Sequence, residues 1–257
     1  MEASTDARVQ AWRGAHAAAR MIGWDFSRLD GRLAAAEPDW DFDAECRAAL
    51  ATASRVADLG TGGGERLVSL LEALGRSVNE GLEVDATEGW APNVAVARRN
   101  LEPHGVGVHG HDVEAGEPLP FAEGSLDLVI ARHEEFDARE VARVLAPGGR
   151  FLTQQVDGRE AHEFRQWFGG EPPHADVTLA NTQIALQSAG LRVEAADDWT
   201  GRMEFADALA VVEYLALVPW DVPGFSVDDN IEQLQRLDGD RPIVVTQRRF
   251  RLMAVRD

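Results

Sequence analysis

Asp58, Glu88 and Asp112, with the glycines at 60, 62 and 64, are the residues of this chain whose types and spacing suit chemistry. The glycines fall in Val56-Ala57-Asp58-Leu59-Gly60-Thr61-Gly62-Gly63-Gly64-Glu65. They take backbone angles barred to other residues and let a ligand approach the main chain closely. A helical pattern follows at once, so unpaired N–H groups and a partial positive charge point the same way. An acid ending a neighbouring parallel strand, as Glu88 or Asp85 would, can accept from ribose hydroxyls. The group therefore suits a small nucleoside-containing ligand. The spacing, D-x-G-x-G-G-G, departs from the G-x-G-x-x-G of dinucleotide sites.

The elements that must hold these residues alternate in type. Residues 56–59, 82–88, 106–113, 125–130 and 150–156 read as strands, and 66–74, 91–101 and 139–145 as helices. Val94, Ala97 and Leu101 share one helical face. Such alternation predicts a mostly parallel sheet. Glu88 directly precedes the turn 89–93 and so should end its strand, which favours it over Asp85. Arg132, His133 and Glu134 follow the fourth strand, where an open α/β sheet presents reacting groups. An imidazole titrates near neutral pH, so His133 is the candidate base or orienting group.

With these motifs the chain resembles the class I S-adenosylmethionine-dependent methyltransferases, in particular small-molecule enzymes like those of ubiquinone and menaquinone biosynthesis. Residues 58–64 match their first motif, Leu119-Pro120-Phe121 the turn before the fourth strand, and Arg143-Val144-Leu145-Ala146-Pro147-Gly148-Gly149 the turn into the fifth. The resemblance implies a Rossmann-like, doubly wound seven-stranded sheet of order 3-2-1-4-5-7-6 with helical cover, its last strand, 247–256, antiparallel. It implies S-adenosyl-L-methionine as cofactor and S-adenosyl-L-homocysteine as product. Asp58, Gly60, Thr61, Gly62 and Gly64 would meet the methionyl part, Glu88 the ribose, and Asp112 and Val113 the adenine edge. Trp90 and Arg132 complete the expected cofactor site. The reaction implied is in-line displacement of the methyl group by an acceptor nucleophile, helped chiefly by positioning.

The remaining chain divides into a helical cover over 1–52 and a catalytic domain over 53–257, with segments 157–176 and 200–242 as lids. In the cover, Trp24, Phe26 and Trp40 read as packing residues. Trp167 and Trp220, in the lids, join His133 and Glu134 as candidates to line the acceptor site. His109 and His111 alternate on one strand face with no third ligand nearby in sequence, so no metal site is expected.

Lys+Arg 25 against Asp+Glu 44 gives a net charge of −19, which argues against a nucleic-acid substrate. Cys46 is the only cysteine, which excludes an intramolecular disulfide. Neither a secretory signal nor a bilayer-spanning run is visible, so a cytoplasmic, non-membrane protein is expected. The arginine-rich, lysine-poor composition suggests a bacterial enzyme of secondary metabolism acting on a small apolar or aromatic metabolite. The alternatives are a domain that binds S-adenosylmethionine without transferring methyl, as a binding module or a non-methylating catalyst, and a nucleotide-cofactor oxidoreductase. The acceptor atom and the oligomeric state leave no mark on the sequence.

Overall fold

The computed structural model describes residues 2–21, 25–74, 81–113, 115–172, 174–239 and 241–257. Trp24, read above as a packing aromatic, lies outside the described residues. In chain order the strands are β1 Leu33–Ala35, β2 Arg55–Leu59, β3 Glu83–Glu88, β4 Gly107–Gly110, β5 Leu126–Arg132, β6 Leu145–Val156, β7 Leu191–Phe205 and β8 Ile243–Arg256. The helices are α1 Glu2–Ala18, α2 Phe42–Leu50, α3 Glu65–Leu74, α4 Ala91–Leu101, α5 Ala138–Val144, α6 His162–Phe168, α7 Leu179–Ser188, α8 Ala208–Leu217 and α9 Ile231–Leu237.

The chain forms two units. The larger contains Asp39–Val156, Val177–Asp198 and Arg249–Asp257. Its strands run in the order β4-β3-β2-β5-β6-β8-β7, the sequence of neighbours expected from the resemblance. β2, β3, β4, β5 and β6 pair in parallel, and β8 pairs antiparallel with β6 from Arg150↔Val255 to Val156↔Arg249. β5 is buried on both faces, which is why Leu128-Val129-Ile130-Ala131 reads as a continuous apolar run. Alternation divides the side chains of the central strands. Val56, Leu128 and Ile130 pack with Phe42, Leu67 and Ala97 of the helices on one face. Ala57, Val129 and Ala131 pack with Val141 and Leu186 on the other.

The smaller unit contains Met1–Pro38, Asp157–Asp176 and Trp199–Arg248. Its core gathers Trp12, Phe164, Phe205, Tyr214 and Leu215, with Trp167 and Phe168 against it. Arg32 bridges Glu213 at 2.6 Å and Asp207 at 2.7 Å, holding the start of α8. Here one expectation is corrected: the sheet has eight described strands and not seven. The additional strand, β1, pairs antiparallel with the end of β7, Leu33↔Phe205 to Ala35↔Met203. Three residues of an alanine-rich stretch are too short to show a period of two. For the same reason of weak local signal the sequence does not mark the full length of β7, Leu191–Phe205.

Candidate functional site

The site is built at the carboxyl ends of β2, β3 and β5. After β2 the chain turns through Gly60, Gly62 and Gly64, with φ of 64°, 64° and 84°. These left-handed angles suit glycine at little cost. Thr87, the penultimate residue of β3, ties the loop down: its carbonyl accepts from Thr61 N–H at 2.9 Å and its hydroxyl from Gly60 N–H at 3.3 Å. From behind, Asn100 of α4 donates to the Gly63 carbonyl at 2.8 Å.

Carboxylates surround the loop. Glu88 accepts from Gly62 N–H at 2.7 Å through one oxygen and from Trp90 N–H at 2.8 Å through the other. Burial pushes its pKa up, against those amide hydrogen bonds. Asp58 is raised to about 6, by burial first, with the Thr61 side chain opposing and the Glu88 charge adding. Glu134 lies directly over Gly60: a methyl group there would fall 2.3 Å from Glu134 Cγ and Cδ. Glu65, first residue of α3, crowds Gly63 in the same way.

The competition between Asp85 and Glu88 has a geometric answer. Asp85 Oδ1 pairs with His109 Nε2 at 2.8 Å on the strand pair β3–β4, away from the loop. Asp112 is exposed and accepts from Ala115 N–H at 3.4 Å, and the His111 carbonyl approaches Gly89. Trp90 is 47% exposed where α4 begins. Leu59, Thr87, Val113, Leu119, Glu134 and Phe136 line a small, solvent-open cleft.

His133 follows β5 with φ of 57°, a left-handed angle uncommon for a side-chain-bearing residue. Two glutamines of β6 hold this turn. The Gln154 carbonyl accepts from His133 N–H at 2.8 Å, and Gln155 Nε2 donates to the Glu134 carbonyl at 2.9 Å. Burial, then the charges of Arg249 and Arg132, hold the His133 pKa well below its ordinary value. Arg132 thus acts electrostatically on His133, and it also acts on the buried Cys46, whose thiol burial pushes to about 12.

Residues 56–149 match the family profile described as a methyltransferase domain. The profile spans 94 of the chain's 257 residues, and over that segment the chain is similar to methyltransferase domains. Among solved structures the chain is similar to the YcgJ protein of Bacillus subtilis, at 16% identity over 84% of this chain and 97% of that one, with a TM-score of 0.58. It is similar to a SAM-dependent methyltransferase of Aquifex aeolicus, at 17% identity over 91% and 94%, TM-score 0.51. It is also similar to the [4+2]-cyclase SpnF, at 16% identity over 83% and 79%, TM-score 0.52. At these identities the likeness fixes the fold and nothing of the substrate. A comparison with curated protein sequences finds no match.

Of the candidate residues, the glycines, Asp58, Thr61, Glu88, Val113 and Glu134 gather around the loop and cleft. Trp167 packs against Phe164 and Phe168 in the smaller unit, whereas Trp220 there is 41% exposed. Sequence reasoning passes over Thr87, Gln154 and Gln155. Their signal is present: three polar residues near the ends of buried strands, where an apolar side chain would serve packing better.

Proposed function

We propose that this protein transfers a methyl group to a small, apolar or aromatic metabolite by in-line displacement. The observation that carries the cofactor chemistry is the charge around the glycine loop. Asp58, Glu65, Glu88 and Glu134 all stand at it, and the Gly62 amide is already engaged by Glu88. A pyrophosphate would meet four carboxylates and lose one of its amide donors. A sulfonium nucleoside bearing an α-ammonium group finds acceptors instead. The donor set therefore fits S-adenosylmethionine and opposes a dinucleotide.

Bound there, S-adenosylmethionine supplies a methyl group already activated by the positive sulfur. The chain's own residues then bind and orient. Gly60, Gly62 and Gly64 admit the methionyl part to the main chain, with Asp58 and Glu134 as acceptors for its ammonium. In this reading Glu88 holds the ribose, Asp112 and Val113 meet the adenine edge, and Trp90 stacks on the adenine. Arg132 acts by its charge on His133, and His133 orients the acceptor. Leu59, Leu119 and Phe136 give the cleft apolar walls, which suit an apolar or aromatic molecule. The net charge of −19 supports the same choice against nucleic acid. Trp167 and Trp220 are the acceptor contacts to test in the smaller unit, and segments 157–176 and 200–242 the candidate lids.

The test is product mass. The protein is incubated with S-adenosylmethionine and a panel of phenols, quinols and aromatic amines. The expected result is an acceptor heavier by one methylene together with S-adenosylhomocysteine. An acceptor converted without that gain, the cofactor being intact, would replace this reading with a non-methylating catalyst.

A further inference from the structure

The end of β5 carries a hydrogen-bond relay whose chemistry fixes a proton. Trp40 Nε1 lies 2.7 Å from Gln154 Oε1, and Gln154 Nε2 lies 3.2 Å from His133 Nε2. An amide's oxygen and nitrogen are alike in shape, so its orientation must come from its partners. Here one partner leaves no choice. An indole nitrogen only donates, so the Gln154 atom facing Trp40 has to be the oxygen. The amide nitrogen, which only donates, then faces His133. It follows that His133 Nε2 accepts, and that the proton of the neutral ring is on Nδ1.

The relay is well anchored. Gln154 is 4% exposed and is held in β6 between Arg132 of β5 and Arg251 of β8 in the ladder. The Arg251 guanidinium lies 5.3 Å from the centre of the Trp40 ring, and it pairs with Asp197 at 3.2 Å and with Glu45. Such a cation over the ring resists rotation of the indole away from Gln154. A second hydrogen bond, His133 N–H to the Gln154 carbonyl, fixes the histidine backbone to the same residue.

We propose that Gln154 is a positioning residue that holds His133 as the Nδ1-protonated neutral imidazole, so that His133 serves the site by donating and orienting and not as a general base. A neutral imidazole has one lone pair, and Gln154 occupies it. The charged groups acting on the ring, Arg132 and Arg249, are both positive and add no acceptor that could draw the proton to Nε2. The catalytic consequence rests on the place given to His133 in the proposed function, but the tautomer does not.

The experiment is a two-bond ¹H–¹⁵N correlation spectrum of the full protein near pH 7, with His133 assigned by comparison with His133→Gln. Nδ1 should show the shift of a protonated nitrogen and Nε2 that of a bare one. In Trp40→Phe the amide loses the donor that sets its orientation, and an Nε2-protonated population should appear. In Gln154→Glu one oxygen can still accept from Trp40 while the other faces the ring, so Nε2 should become protonated. An Nε2-protonated neutral ring or an imidazolium in the unmodified protein would overturn the proposal, as would a spectrum that neither variant alters. The spectrum needs neither cofactor nor acceptor. Failure of methyl transfer and failure of the relay are therefore separate results.

Discussion

The carboxylate of Glu88 accepts from the Gly62 amide at 2.7 Å, which fastens the end of β3 to the glycine loop that follows β2. Its other oxygen takes the Trp90 amide, so one side chain satisfies two loop N–H groups. Glu88→Gln has a single acceptor oxygen and must turn its NH₂ toward one of them. We expect this variant to lose about 1–3 kcal/mol of stability, the usual cost of a buried group left unpaired, in chemical denaturation. A loss within error of zero would mean that the loop is held by Thr87 and Asn100 without Glu88.

Gly60 is constrained twice, by its φ of 64° and by Glu134 above it. Gly60→Ala should therefore destabilise the protein by about 1–2 kcal/mol from backbone strain alone and displace Glu134. Adding Glu134→Ala removes the collision but leaves the strain, so the double variant should recover only part of the loss. Full recovery would show that the backbone angle costs little.

The pH dependence of stability has a sign that differs from the ordinary carboxylate case. Asp58 has a folded pKa of about 6 against an ordinary 3.8, so between these values the native state binds the extra proton. Its contribution is present at low pH and is lost as pH rises from about 4 to 6. His133, held below its ordinary 6.5, works in the opposite sense: the unfolded chain takes the proton, and stability is lost as pH falls below about 6.5. Denaturation of Asp58→Asn across pH 4 to 7 should lack the first component and keep the second. Parallel curves for variant and parent would contradict the assignment to Asp58.

In the smaller unit Phe164 is fully buried among Phe205, Tyr214, Trp167 and Phe168. Truncation to alanine leaves a cavity in this aromatic cluster and should cost about 3–5 kcal/mol. Calorimetric melting is the check, and a cost below about 1 kcal/mol would mean that the cluster closes over the space.

Much of the larger unit is written locally in the sequence. The central strand β5 contains the apolar run Leu128-Val129-Ile130-Ala131, and turns such as Ala146-Pro147-Gly148-Gly149 specify their own geometry. The glycine loop and the acids that end the strands are legible for that reason. What is not legible depends on partners distant in sequence. β1 acquires strand geometry only from β7, and the full lengths of β7 and β8 come from pairing and not from alternation. Trp40 reads as a packing aromatic, yet its indole N–H sets the orientation of Gln154, 114 residues away. Likewise His133 reads from its type as a base, whereas its burial, its backbone angle and its partner are properties of the fold.

The most direct test of the account is calorimetric titration of the protein with S-adenosylmethionine, S-adenosylhomocysteine and NADH, repeated on Glu88→Ala. A cleft ringed by carboxylates and built for a sulfonium nucleoside should bind both sulfur compounds and not NADH, and the substitution should weaken binding at least tenfold, about 1.4 kcal/mol or more. Binding of NADH, or of neither sulfur nucleoside by folded protein, would contradict it.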